Sequence, residues 1–294
     1  MAGVRLEGKA GKVGLWVLAF VLMAGAAVYQ RMTGPTHPMR GTFTLQGETY
    51  TYRLTRSGST PVEAEVRVPG PDEVSEATLH FTRFKTSEPY TAQPMARHDR
   101  EFVGKLPRQP AAGKLEYYVT LKTPEGTLRL PEAPEDNPVL RYKDPVPTGV
   151  LVPHIVLMFL AMLVGIRAGL SALVGHSDMR TLSWISLAGM TLGGLVLGPI
   201  VQKYAFGAYW TGFPFGYDLT DNKVLILWLC WVFACGWQLV PAARQGWTPR
   251  AAVGLATLVM LVVYLIPHSL RGSELDYARL EQGVPPHEAI RTGK

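Results

Sequence analysis

The sequence contains only two cysteines, Cys230 and Cys235, in 294 residues. They lie five positions apart in one apolar segment, so on a helix they face different ways and do not pair. The polar region between residues 36 and 147 has none, which excludes disulfide support there. Basic runs with interleaved aromatics are also absent. The Lys and Arg side chains behind the net charge of +6 are scattered among acids, which argues against a nucleic-acid partner. No nucleophile sits in a recognisable elbow, and His80 and His98 are isolated surface or packed side chains. No catalytic residue is assigned, and an enzyme is not the expected class.

Long apolar runs, by contrast, are plentiful. A span needs about 20 residues of helix. Residues 13–28 follow the basic Arg5, Lys9 and Lys12 and read as a signal anchor, with a cleavable leader as the alternative. Residues 150–174, 182–201, 224–240 and 251–266 form four further spans. An N-terminus on the inside places Arg180, Arg244 and Arg250 in inside loops, as the bias of basic residues toward the cytoplasmic side requires. The expected location is a bacterial-type inner membrane, crossed several times, with the polar domain and the C-terminal tail outside.

Between the first two spans the apolar period switches to two. Candidate strands cover residues 42–46, 49–55, 62–68, 77–84, 101–106, 115–122 and 127–130, separated by Gly, Pro and Ser clusters. Val62, Ala64, Val66 and Val68 face one way while Glu63, Glu65 and Arg67 face the other, as a half-buried strand demands. Short strands at this spacing indicate an all-β sandwich. Residues 131–147 carry five prolines and are expected to be a stiff connector with at most one edge strand.

The expected organisation is therefore a multi-domain membrane protein. It has an N-terminal anchor helix (1–30), an exported β-sandwich with a Pro-rich connector (36–147), a four-helix transmembrane domain (150–268) and a C-terminal tail (269–294). In the tail, Ser273 is a candidate N-cap for one short helix, Pro285 and Pro286 stop it, and the end is expected to be disordered. Gly165 and Gly169, Gly189 and Gly193, and Gly194 and Gly198 are one turn apart in two of the spans, which suits close pairing of helices in lipid.

Residues 203–223 carry seven aromatics between two spans and end near Asp218 and Asp221. Tyr209, Trp210, Phe213, Phe215 and Tyr217 form either an interfacial belt or a docking surface. Asp218, Thr220 and Asp221 are candidate caps for the following helix. Ionisable residues within spans are functional candidates. Arg167 is expected to reach the inner surface as an anchor. His154 and His268 each follow a proline at the outer end of a span, and two such histidines beneath an aromatic lid are a possible haem site, or simply helix-end side chains.

Two stretches resemble known families. The run GKLEYYVTLKTPEG resembles the last hairpin of immunoglobulin-like and fibronectin type III-like domains. The run FGAYWTGFPFGYDLTDNKVLILWLCW resembles the tryptophan-rich periplasmic loop of the haem-handling cytochrome c assembly proteins. That resemblance implies that Gly207, Trp210 and Asp218 belong to a haem-handling loop and that His154 and His268 are the iron ligands, the only metal expected. The leading expectation is an accessory, assembly or scaffold protein that docks a membrane or periplasmic protein through the sandwich and the aromatic loop. A haem-binding redox or haem-delivery protein is the alternative, and a small transporter the second alternative.

Overall fold

The computed structural model describes residues 8–241, 246–267 and 272–292. It opens on helix α1 (Lys9–Thr33). Leu15, Ala19, Met23 and Ala26 are its buried side chains, spaced by four, four and three residues, and so form one stripe. That stripe joins the core of the helical bundle described below.

Eleven strands follow: β1 (Met39–Leu45), β2 (Glu48–Leu54), β3 (Ser57–Ser59), β4 (Ala64–Pro69), β5 (Glu76–Arg83), β6 (Thr91–Pro94), β7 (Ala96–His98), β8 (Glu101–Leu106), β9 (Lys114–Thr123), β10 (Gly126–Leu130) and β11 (Val139–Lys143). They form two sheets, ordered β1-β2-β4-β8-β7 and β3-β11-β9-β5-β6, with β10 also paired to β9. Alternating burial along β4 and β9 places Val66, Val68, Tyr117 and Val119 in one core shared by both sheets. Gln46 and Gly47 both have positive φ, which supplies the tight turn that sets Leu45 opposite Glu48.

The seven expected strands are all present. The proline-rich connector differs from expectation, because β11 is not an edge. It runs parallel to β3 and antiparallel to β9, with Leu140 and Tyr142 fully buried. The prolines flank this strand, at Pro138 and Pro145, and so leave its ladder donors intact.

The helical part comprises α2 (Thr148–Val174), α3 (Met179–Met190), a π-helical stretch (Thr191–Leu197), α4 (Gly198–Phe206), α5 (Leu219–Trp237) and α6 (Thr248–Leu265). Five helical segments are long and apolar enough to cross a membrane, counting α1 and counting Met179–Phe206 as one. The paired glycines work between helices. A methyl group on Gly169 would lie 2.5 Å from Thr257 Oγ1 on α6, and one on Gly165 would lie 3.0 Å from the Trp231 ring on α5.

The tail adds β12 (Ser273–Leu275), α7 (Tyr277–Glu281) and β13 (Ile290–Thr292). This overturns the expectation of a disordered end. β13 returns to pair with β12, and Leu275, Tyr277 and Ala289 form a small apolar cluster of their own. Asp276, and not Ser273, caps α7 by accepting from the amides of Ala278 and Arg279. Arg244, expected in an inside loop, lies outside the described residues.

Candidate functional site

Three segments distant in sequence meet at the end of the bundle that carries the sandwich: the end of β11, the loop between α4 and α5, and the tail. Arg141 on β11 is the centre of this junction. Its Nη2 donates to the Ser273 carbonyl at 2.7 Å, and its guanidinium lies 5.0 Å from the centroid of Phe206 at the end of α4. Burial lowers its pKa and Asp218 opposes that shift. An arginine stays charged regardless. The Asp144 amide donates to the Ala205 carbonyl at 3.1 Å, and Ser273 Oγ lies 3.4 Å from Asp218 Oδ2.

The loop after α4 is shaped by polar side chains of α5. Gly207 ends α4 in the left-handed region at φ 84°, where a side chain would be strained. Asp218 caps α5 by accepting from the Thr220 amide at 2.8 Å. Asp221, expected as a second cap, instead reaches back into the loop, where its Oδ2 accepts from the amides of Thr211 (2.6 Å) and Gly212 (3.0 Å). Asn222 Oδ1 accepts from the Phe213 amide at 2.7 Å, and Trp210 Nε1 donates to the Phe213 carbonyl at 3.0 Å. The loop backbone is thus satisfied from beneath, and its aromatic rings point outward. Phe215 is 82% exposed, and Tyr209, Phe213 and Tyr217 are also exposed.

The tail is fastened to the sandwich beside this loop. The Tyr277 hydroxyl accepts from the Lys114 amide at 2.9 Å and lies 3.0 Å from the Lys114 carbonyl and 3.1 Å from Gln109 Oε1. Burial pushes the phenol up to about 12. Glu274 is held by Lys114 Nζ at 2.6 Å and Lys85 Nζ at 2.9 Å, and Glu281 by Arg83 at 2.5 Å. Burial pushes the Glu274 carboxyl up, but the two lysines outweigh it and hold it below the usual range. Lys114 is also lowered, because burial costs its ammonium more than Glu274 returns. Lys114 is the more deeply buried partner, so its desolvation offsets part of what the pair contributes.

Between loop, tail and sandwich lies a cleft of about 1260 Å³. Phe84 and Lys85 of the sandwich, Pro214 to Tyr217 of the loop and residues 274–279 of the tail line it. Its volume exceeds the roughly 300–1,000 Å³ of most small-molecule sites. Its walls combine exposed aromatic rings with cations and carboxylates paired to each other, an arrangement suited to a polypeptide segment.

Of the expected haem residues, the described ones His154, Trp210 and Asp218 do not line this cleft. His154 is half-buried on α2, and its Nδ1 lies 2.8 Å from the Gly193 carbonyl in the π-helical stretch. A carbonyl only accepts, so Nδ1 is the donor in this contact. His268 lies outside the described residues. Trp210 and Asp218 are engaged within the loop, and neither they nor His154 line the cleft. Among the described residues no group of three or more His, Cys, Asp or Glu is arranged to hold a metal ion.

Arg167 also departs from expectation. It is fully buried instead of reaching a surface, because Asp178 Oδ2 accepts from it at 3.0 Å and Ser171 Oγ accepts a further bond. Sequence reasoning did not find Arg141, Lys114, Glu274 or Tyr277. Lys114 and Glu274 are 160 residues apart, and no local pattern announces the pair. Compared with known proteins, the chain matches no family model and no curated sequence.

Proposed function

We propose that this chain is an integral inner-membrane accessory or assembly protein that binds a partner polypeptide on its outer side. The observation that carries this reading is the cleft of about 1260 Å³ with Phe215, 82% exposed, at its rim. Five helices able to span a membrane support integral placement. An immunoglobulin-like sandwich beside the loop adds a second contact surface, as such domains mostly bind or space. Exposed apolar groups clustered at a shaped rim usually meet something. A photo-crosslinking residue at Phe215 or Tyr217, activated in native membranes, is expected to trap a defined protein adduct. A lone monomer with no adduct from either position overturns the reading.

A second reading, haem binding, is favoured by His154 alone, whose Nδ1 is tied to a backbone carbonyl as in many metal-ligating histidines. Haem would supply one-electron chemistry, with His154 and His268 holding its iron. Purified protein supplemented with haem should then show a Soret band that is lost in His154→Ala and His268→Ala. Absence of the band, or a band indifferent to both variants, eliminates haem.

A further inference from the structure

The two sheets end on β1 and β7 in one and on β3 and β6 in the other. An open edge invites pairing with another chain, and folds usually blunt it. Here β3 and β7 are only three residues long, and β6 carries Pro94. β1 is seven residues long, has no proline, and pairs with β2 along its whole length. Its turn fixes which groups face out. Gln46 and Gly47 both have positive φ, so the two-residue hairpin closes on a hydrogen-bonded pair of Leu45 and Glu48. Alternation then joins Phe43 to Tyr50 and Gly41 to Tyr52 in the same way, and turns the N–H and C=O of Arg40, Thr42 and Thr44 away from β2. Among the described residues no backbone bond reaches these groups.

Charge narrows the occupant. Arg40 stands directly opposite Arg53, and Arg53 opposite Arg67 on β4, so a row of arginines crosses the solvent face of this sheet. Arg67 is neutralised by Glu65 at 2.8 Å and Glu101 at 3.4 Å. Among the described residues Arg40 and Arg53 form no ion pair, although like charges directly opposite destabilise a sheet. A strand added to β1 with an acid opposite Arg40 relieves that repulsion and satisfies the open backbone groups together. Its residues opposite Thr42 and Thr44 share the solvent face, and the alternate ones lie on the side of the buried Phe43 and Leu45. A second copy of β1 contains no acid, and an anionic lipid leaves the backbone groups unpaired. We infer that β1 is the docking edge for an extended partner segment, added as a further strand, that alternates polar and apolar residues and sets an Asp or Glu opposite Arg40. This rests on the proposed binding of a partner polypeptide, but at a site apart from the cleft, whose lining includes no residue of β1.

The test titrates the purified full-length protein in detergent with the fluorescein-labelled peptide Glu-Val-Thr-Val-Thr-Val and with its counterpart starting in Lys, read by anisotropy. The acidic peptide is expected to bind saturably and the basic one at least about tenfold more weakly. Thr42→Pro removes an N–H that no internal bond uses, so circular dichroism should stay the same while binding of the acidic peptide falls at least about tenfold. Arg40→Glu should reverse the preference between the peptides, and it keeps the test available if Thr42→Pro does not fold. No saturable binding of the acidic peptide, or binding unchanged in a folded Thr42→Pro, overturns the inference and leaves the cleft to its own crosslinks from Phe215 and Tyr217. Binding of phosphatidylglycerol in mixed micelles that needs Arg40 but survives Thr42→Pro, with no peptide bound, would assign the arginines to lipid and equally overturn it.

Discussion

The two ends of the helical bundle solve the same problem in opposite ways. At the end away from the sandwich, Arg167 turns inward to Asp178 and Ser171, and Trp16 of α1 lies 5.6 Å from its guanidinium. Arg250 closes the same end by donating to the carbonyls of Ala172 (2.6 Å) and Leu173 (2.8 Å), which α2 leaves unpaired. At the sandwich end, Asp218 caps α5 while Asp221 and Asn222 accept from the backbone of the loop, and its aromatic rings face out. One end is closed by its polar residues and the other is opened into a surface by them. That difference is why the docking surface is proposed on the sandwich side.

The strongest way to break this comparison is at the closed end. Asp178→Ala leaves a fully buried guanidinium without its carboxylate, a change that costs about 3 kcal/mol or more in buried pairs. Asp178 itself is partly exposed, which puts the expected loss at the low end of that range. Thermal unfolding in detergent should show a clear drop, and Arg167→Met combined with Asp178→Ala should recover part of it. A melt unchanged in Asp178→Ala would mean that this end is not held by the pair. Gly169→Ala tests the packing above it. Its methyl would sit 2.5 Å from Thr257 Oγ1, and overpacking of this kind costs about 1–3 kcal/mol. The same melt reads it.

Much of this frame was legible in the sequence, and the reasons are local. Period-two burial along β4 and β9 and apolar runs for the five long helices depend on neighbours in the chain. So do the Asp218 cap and the glycine pairs. What escaped was non-local. β11 was read as a connector because its flanking prolines hid five residues that pair with strands on both sides. The end of the tail was read as disordered because its order comes from pairing back to β12, across the two prolines that stop the short helix. Arg167 looked like an anchor because its partner stands eleven residues on, past the end of its own helix. The cleft combines three such segments, so no single stretch revealed it.

A smaller effect sharpens the open end. Glu274 is held below the ordinary glutamate value, so its contribution is present above about pH 4.3 and is lost as pH falls through its lower folded value. Lys114 stays protonated throughout that range and does not reverse the sign. Hydrogen-exchange protection of residues 273–281, corrected for the intrinsic pH dependence of amide exchange, should therefore fall on acidification below about pH 4, and Glu274→Gln should lower it at neutral pH as well. With the pair partly exposed, the expected loss is about 1 kcal/mol or less. Exchange insensitive to both changes would assign the tail's order to Tyr277 and its apolar cluster alone.

The smallest stability effect belongs to the residue with the largest proposed role. Phe215 makes no side-chain hydrogen bond and is 82% exposed, so Phe215→Ser should leave the melt within about 0.5 kcal/mol of the parent. The loop should keep its shape, because its backbone is held through Asp221, Asn222 and the Trp210 indole and not through the Phe215 ring. If the open end is a docking surface, this stable variant should nevertheless lose the adduct trapped from Tyr217 in native membranes. An adduct of equal yield in Phe215→Ser would place the partner elsewhere on the sandwich side. A large loss of stability would mean that Phe215 packs against the fold and that the open end is as closed as the other.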